Sequence, residues 1–408
     1  MTEAWIIDAA RTPRGKGRPD GALHHFHPQH LLAGVLNGLA ARTELDTATV
    51  DDVVMGCSLA QGTHDHNVAR MAVLDARWPV EVPGVTMNRF CGSGQQAVNF
   101  AAASVAAGHY QCVVAGGVEM MSHYPTSGRM TLDGGNPSLR ERFAIVPQGI
   151  SAELIATIEG FSRDDCDAFA AESQRRAGEA IAAGRFDRSI IPVLNDDGTI
   201  ALDHEQHPRP GTTAESLAKL KPAFVALGQT QFDGYDTTFE QMCLATYPQV
   251  DRLDYVHHGG NASGVVDGAA AILITSPDYA RAHGLKPRAR IVMGAAVGSE
   301  PVIMLTAPAA AARRCVERAK RAMSDIDLWE VNEAFAAVAL KFLKDTGIDS
   351  DRVNVNGGAI ALGHPIGATG PTLLMTALDE LERRDLATAV VTMCTGGGMG
   401  TATLIERI

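Results

Sequence analysis

The sequence predicts an α/β fold built from two copies of one unit. Apolar runs of strand length alternate with segments of helical period, as expected of a mostly parallel sheet covered by helices. The order of these segments occurs twice. In each copy a strand enters a glycine-rich turn that leads into a helix, and these matching turns hold Cys91 and His364.

In the first copy the strand Ala4–Asp8 is followed by a helix over Gln29–Arg42, whose Leu31, Leu32, Val35, Leu36 and Leu39 share a face. Strand-like Val53–Cys57 comes next. The run Gly84–Asn88 then enters the turn Arg89-Phe90-Cys91-Gly92-Ser93-Gly94, a helix over Ala97–Ala107 and a strand at Cys112–Gly116. That helix is apolar on nearly every side and is expected to be central. In the second copy Ala289–Met293 reads as strand and Ala309–Met323 as helix, with Ala312, Cys315, Val316, Ala319 and Met323 on a stripe. Strand Asp327–Val331, helix Glu333–Lys344 and strand Val353–Asn356 follow. They lead to the turn Gly363-His364-Pro365-Ile366-Gly367-Ala368-Thr369-Gly370, a helix over Pro371–Arg384 with its proline in the tolerated first turn, and a strand over Ala387–Cys394. The repeat predicts an N-terminal half over 1–123, to which 255–277 returns, and a C-terminal half over 278–408. Packed together, duplicated halves bring such turns face to face.

Residues 124–254 read as an inserted, loop-rich lid. It opens on a loop rich in Gly, Pro and Ser over Thr126–Pro147. A long helix then starts at Ser162, with Asp165 completing a capping box, and ends near Gly184. After Pro192 the chain is irregular.

Composition narrows the function classes. Lys plus Arg number 35 against 47 Asp plus Glu, a net charge of −12, so nucleic acid is not an expected partner. No apolar run approaches the ~18 residues needed to span a bilayer, and the start has no basic stretch followed by an apolar core. The expectation is a soluble, cytoplasmic protein without a membrane span. Its 7 cysteines are an odd number, scattered and without a CxxC pair, which points to free thiols in a reducing compartment. A special cysteine here is therefore reactive and not structural.

Cys91 lies just ahead of a helix, where unpaired N–H groups favour thiolate, and Gly92 and Gly94 allow a sharp turn and close approach of a substrate. The competing reading is a small buried hydrophobe. His364 stands in a turn too glycine-rich for a packing role, so it suits a general base or a donor to an oxyanion. Cys394 closes a strand ahead of Thr395-Gly396-Gly397-Gly398-Met399-Gly400, whose N–H groups can form an oxyanion hole. A phosphate loop fits poorly, because neither GxxxxGK[ST] nor a strand-linked GxGxxG is present. Asn332, in Asn332-Glu333-Ala334-Phe335-Ala336, could fix a water or a carbonyl oxygen, or cap a helix. His24, His25, His27, His30, His64 and His66 have no standard zinc spacing, so no metal is expected.

Residues 88–94, 332–336, 357–370 and 394–400 resemble, in order, the four signature segments of the thiolases, the acyl-CoA acyltransferases. Arg11-Thr12-Pro13, Gly116–Ser122 and Gly260–Gly264 are also similar to thiolase segments. The resemblance implies the thiolase fold, two βαβαβαββ halves in a five-layered αβαβα arrangement with an inserted lid. It implies that Cys91 carries the acyl group as a thioester with His364 accepting its proton, and that Cys394 is the second acid and base. Oxyanions would be held by His364 with Asn332 through water, and by the N–H groups of Cys91 and Gly396. Coenzyme A and acyl-CoA are implied as substrates, with no permanently bound cofactor. By position, Lys221, Ser263, Arg209, Ala334 and Phe335 are the candidate contacts to coenzyme A, Lys221 standing where many relatives carry Arg. A homodimer or homotetramer is implied, with docking to a β-oxidation multifunctional subunit as a further expectation.

Two departures bear on the acyl chain. Val146-Pro147-Gln148 stands where short-chain members carry a His-Met pair, and Ala226–Gly259 is longer than in compact biosynthetic relatives. Together with Ala156–Ser162 they resemble the β-subunit type of fatty-acid β-oxidation complexes, which favours a medium or long 3-ketoacyl chain. The alternatives are a short-chain acetyl-CoA acetyltransferase and a non-catalytic acyl-CoA-binding scaffold. A ketoacyl synthase on the same fold would not need Cys394.

Overall fold

A computed structural model describes residues 2–59, 61–124, 132–232 and 234–408. Residues 126–131 of the expected lid loop lie outside the described residues. The strands are β1 (Ala4–Arg11), β2 (Gly15–Lys16), β3 (Asp52–Gly56), β4 (Val85–Met87), β5 (Cys112–Met120), β6 (Val193–Leu194), β7 (Ile200–Leu202), β8 (Val266–Thr275), β9 (Ala289–Gly298), β10 (Leu328–Val331), β11 (Thr388–Thr395) and β12 (Met399–Arg407).

The duplication is visible in strand order and sense. The main sheet runs β10-β11-β12-β9-β1-β8-β5-β3-β4, with β2 on β8. In the first half β3 and β5 are parallel, and β5, β8 and β1 follow antiparallel. In the second half β10 and β11 are parallel, and β11, β12 and β9 follow antiparallel. The halves join where β1 pairs antiparallel with β9 through Ala4↔Ile291, Trp5↔Arg290 and Ile6↔Ala289.

Helices complete five layers. Pro28–Thr43 and Val68–Asp75 cover the outside of the first half, burying Leu31, Leu36 and Val73. Pro308–Arg318 and Ala336–Thr346 cover the second, around Trp329 and Phe342. Between the halves lie Ser93–Ala106 and Ile366–Arg384, which share one core with Ile272, Val391 and Met393 of the inner sheet faces. The lid carries helices Gln148–Glu159 and Arg163–Ala182, the second started by Ser162, whose Oγ accepts from Asp165 N at 3.1 Å while Ser162 N donates to the Asp165 carboxylate at 2.8 Å. Its apolar core, including Ile150, Phe239 and Met304, is continuous with Cys394.

Four local expectations differ. Val353–Asn356 is not a strand; it keeps one parallel bridge, Trp329↔Val353, where the first half has all of β4. The helix after Asn332 starts at Ala336 and not Glu333, because residues 334–336 bond in extended form to 261–263: Ser263 N donates to Ala334 O and Ala336 N to Asn261 O, each at 3.0 Å. The first central helix begins at Ser93, directly behind Cys91. The second begins at Ile366, so Pro371 lies inside it and leaves Gly367 O without its helical donor.

That carbonyl explains a local contact. It lies against Gly94 and Gly117, where a Cβ on either residue would fall far inside contact distance of the oxygen. The two helices cross through hydrogens alone, and Gly370 meets Gln95 in the same way. Gly94→Ala should therefore force the crossing apart and lower the unfolding free energy by about 2 kcal/mol. Gly34 has nothing within 4 Å of a Cβ and sits in an exposed helix position. Gly34→Ala should be neutral or stabilise by up to ~1 kcal/mol; urea unfolding of the two variants checks the contrast.

Candidate active site

Cys91 is presented by a strained turn. Phe90 has φ +49°, a left-handed backbone that costs a non-glycine residue roughly 1–2 kcal/mol. Asn88 and Ser93 hold it there: Phe90 N donates to Asn88 Oδ1 at 2.8 Å, Arg89 N donates to Ser93 Oγ at 2.8 Å, and Ser93 Oγ donates to Phe90 O at 2.6 Å. Cys91 is 5% exposed and immediately precedes the N-terminus of the first central helix.

The structure brings the second half's signature segments to this turn. A Cβ on Gly92 would lie 2.8 Å from Thr395 Cγ2, and one on Gly396 would lie 3.2 Å from the Phe90 ring. Cys394, one residue before the end of β11, therefore lies near Cys91. Behind them, Gln95 Nε2 donates to Val391 O at 2.9 Å and Thr401 Oγ1 donates to Gln95 Oε1 at 2.6 Å, which sets the register of the helix carrying Cys91 against the strand carrying Cys394.

His364 precedes the second central helix and is 5% exposed. Its backbone N donates to Gly264 O at 2.9 Å, so the Ser263–Gly264 segment is tied to the histidine as well as to Ala334. Thr369 Oγ1 donates to Pro365 O at 2.9 Å and takes the Nδ1–H of His364 at 2.5 Å, an arrangement that leaves the Nε2 lone pair toward the site. Asn332 Nδ2 reaches that Nε2 at 3.4 Å, and Asn332 Oδ1 finds no hydrogen-bond partner among the described residues.

A buried carboxylate secures the His364 turn. Glu119 accepts from Gly367 N at 2.8 Å, Ser58 N at 2.9 Å and Leu59 N at 3.0 Å. Burial raises its pKa and the three N–H groups oppose the rise.

Electrostatics favour the neutral forms of both thiols and of the imidazole. Burial raises the Cys91 thiol, opposed by the Gln148 amide and the Gly396 N–H. Burial and then the neighbouring Cys91 raise the Cys394 thiol. Burial alone lowers His364 to about 4. Thiol and neutral imidazole are the forms a proton transfer from Cys91 to His364 requires.

Of the candidate contacts to coenzyme A, Ser263 and Phe335 are half-buried and Ala334 is buried beside Asn332, while Lys221 and Arg209 are exposed and in no ion pair among the described residues. Lys221 follows the turn whose Leu217 packs on Gly260, and Ala223 N donates to His257 O at 2.9 Å, which sets that segment beside 257–263. The histidines are spread over separate tasks. His27 caps a helix, His30 pairs with Asp75 at 2.9 Å, His25 bonds Asn195 and His64 Nε2 accepts Met120 N at 2.9 Å. Among the described residues Cys57, His64 and Glu119 come within 4.8 Å of one another, but His64 and Glu119 already accept backbone N–H groups.

Three contributors were not visible in sequence reasoning: Thr369, Glu119 and Gln148, whose Nε2 lies 3.9 Å from Cys91 Sγ. Thr369 had a signal, a hydroxyl five residues after the histidine at a helix start.

Fold and site together define a thiol-dependent acyltransferase. The family models described as thiolase N-terminal domain and thiolase C-terminal domain match residues 4–232 and 285–407. A β-ketoadipyl-CoA thiolase of Escherichia coli is 41% identical, with 100% of each chain covered. A steroid 3-ketoacyl-CoA thiolase of Mycobacterium tuberculosis is 40% identical over 100% of this chain and 95% of its own. An acetyl-CoA acetyltransferase of Allochromatium vinosum is 39% identical over 99% of this chain and 98% of its own. Among solved structures, the acetyl-CoA acetyltransferase of Bacillus anthracis superposes with TM-score 0.85 at 34% identity, covering 100% and 99% of the two chains. The chain belongs to the thiolase family.

The depressed pKa of His364 has a kinetic consequence. Neutral imidazole is present above about pH 4, and Cys91 remains a thiol through neutrality. The rate of Cys91 acylation should be flat from pH 8 to about pH 5 and fall about tenfold per unit below pH 4. Rapid-quench acylation with acetyl-CoA measures it; an acid limb near 6.5 would show an imidazole in ordinary solvent contact.

Proposed function

We propose that the enzyme is a 3-ketoacyl-CoA thiolase, cleaving a 3-ketoacyl-CoA with coenzyme A to acetyl-CoA and a shortened acyl-CoA and running the Claisen condensation in reverse. The observation that carries this reading is the pairing of Cys91 and Cys394 at abutting glycine turns, with the neutral His364 on the turn that leads into the helix meeting Gly94. His364 Nε2 takes the Cys91 proton, and the thiolate attacks the 3-keto carbon. The tetrahedral oxyanion lies toward the N–H groups of Cys91 and Gly396. As the C2–C3 bond breaks, Cys394 gives its proton to the acetyl-CoA enolate, whose oxygen is held by His364 and, through water, by Asn332. Coenzyme A then attacks the thioester, its proton restoring Cys394, while Cys91 leaves as thiolate and recovers its proton from His364.

Ser263 meets the pantetheine arm, Ala334 and Phe335 wall it, and Lys221 and Arg209 meet phosphate. A point-charged Lys221 supports phosphate contact but not the forked contact of arginine. The apolar lid core that reaches Cys394 supports a medium or long acyl chain, as in fatty-acid β-oxidation in the cytoplasm. The Allochromatium and Bacillus relatives support a second reading, a short-chain acetyl-CoA acetyltransferase. For assembly, β4 is a sheet edge with Val85 43% exposed, and Phe100 on the adjoining helix is 48% exposed. An edge of this kind pairs with its copy across a two-fold axis, giving a homodimer or a homotetramer of two such pairs.

CoA-dependent cleavage of acetoacetyl-CoA and of a long-chain 3-ketoacyl-CoA, assayed side by side, tests the chain length; faster cleavage of acetoacetyl-CoA would select the second reading. Cys91→Ala should reduce either reaction to background. Cys394→Ala should still form the acyl-enzyme, seen by intact mass, with condensation lowered roughly 10²–10⁴-fold. Val85→Pro should shift the mass found by light scattering toward monomer, since proline cannot donate across a strand pair.

A further inference from the structure

We propose that Gln148 is a hydrogen-bond donor to the Cys91 sulfur and sets how readily that thiol ionises. Its Nε2 lies 3.9 Å from Sγ, and it is the one side chain among the described residues that donates to this sulfur. The remaining donors are backbone N–H groups, those of Gly396 and of Cys91 itself.

The amide is carried on a fixed corner. Gln148 is the first residue of the helix Gln148–Glu159, directly after Pro147, whose ring restricts the backbone there. The next residue, Gly149, packs on Phe224 so closely that a Cβ would lie 2.5 Å from the ring, and Phe224 meets Phe335 edge-on at 5.9 Å. Gln148 is half-buried at this corner, and Val146 and Ile150 on either side of it in sequence are buried in the apolar core. Ser151, one turn on, donates its hydroxyl to Val302 O at 2.6 Å, whereas the Gln148 amide turns to the sulfur.

The bond favours the charged sulfur. Burial disfavours a Cys91 thiolate, and the charge of the Glu119 carboxylate disfavours it further. An amide N–H aimed at the sulfur opposes both, and does so most strongly when the sulfur carries charge: as the proton passes to His364, and again as Cys91 leaves the thioester. Once acylated, the sulfur is neutral and the bond weakens. Gln148 therefore acts in both acylation and deacylation. The inference rests on Cys91 being the nucleophile and is independent of the acyl chain.

The test needs no substrate. Iodoacetamide labelling of the Cys91 peptide, followed by mass spectrometry from about pH 6 to about pH 11, gives its ionisation profile, with the Cys394 peptide followed separately. Gln148→Met should raise the Cys91 midpoint by about one pH unit, so that labelling at pH 7 slows about tenfold with an unchanged plateau. Gln148→Glu, the same shape with an acceptor in place of the donor, should raise it further. A role in packing alone would give no such order. Coincident profiles for the parent and the glutamate variant overturn the inference, and the isosteric glutamate variant supplies that comparison even if the methionine variant does not fold. The expected order seen in an enzyme that cleaves no 3-ketoacyl-CoA would uphold the inference while sinking the thiolysis reading.

Discussion

The crossing of the two central helices through Gly94, Gly367 and Gly370, with Gly117 of β5 against the same carbonyl, is the contact on which the site depends. Two duplicated halves could pack in many ways, but only bare backbone allows the helix starts behind Cys91 and His364 to approach so nearly. Pro371 contributes by withholding its N–H, which leaves Gly367 O to face the glycine hydrogens of the other half. Glu119 crosses the same seam, reaching from β5 to Gly367 N. Each half alone presents one turn. The seam turns two ordinary strand-to-helix connections into one site.

Enclosure sets the electrostatic character of that site. Both thiols and the imidazole are buried, so burial works against every charged form. A resting ion pair between Cys91 and His364 is therefore disfavoured. The donors near the sulfur are set in advance: the Gly396 N–H, the Gln148 amide and the helix start behind Cys91. Preorganised donors around initially neutral groups suit chemistry that forms and discharges thiolates and oxyanions in turn.

The relatives share this frame while their names differ in acyl group, from β-ketoadipyl to steroid-derived to acetyl, at 39–41% identity over nearly the whole chain. Division of labour in the fold accounts for such breadth. The reacting groups stand on the two halves, locked by backbone bonds among the segments around Ser263, Ala334 and His364. Residues 132–256 contribute an apolar core that meets the site through Leu132 on Gly396, Phe224 on Phe335 and Gln148 on Cys91. Changes in the lid can alter what the acyl group meets without disturbing the seam.

Much of this was legible in the chain. The repeat, the central position of both apolar helices and the placing of Cys91, His364 and Cys394 at glycine-rich turns follow from local pattern, because periodicity and glycine-rich turns are encoded within a few residues of one another. Local pattern misled where distant backbone intervened: residues 333–335 look helical but are drawn out by bonds to 261–263, and Val353–Asn356 looks like a strand but keeps a single bridge. The sequence by itself determined the duplicated α/β order and the glycine-rich turns that hold Cys91, His364 and Cys394. Only the tertiary structure decided which atoms meet: Thr369 on His364, Glu119 on Gly367, Gln148 on Cys91. Glu119 and Gln148 reach partners far along the chain, and even Thr369 needed the turn's own geometry, so their directions depend on how the halves and lid are packed and leave no periodic trace in the residues between them.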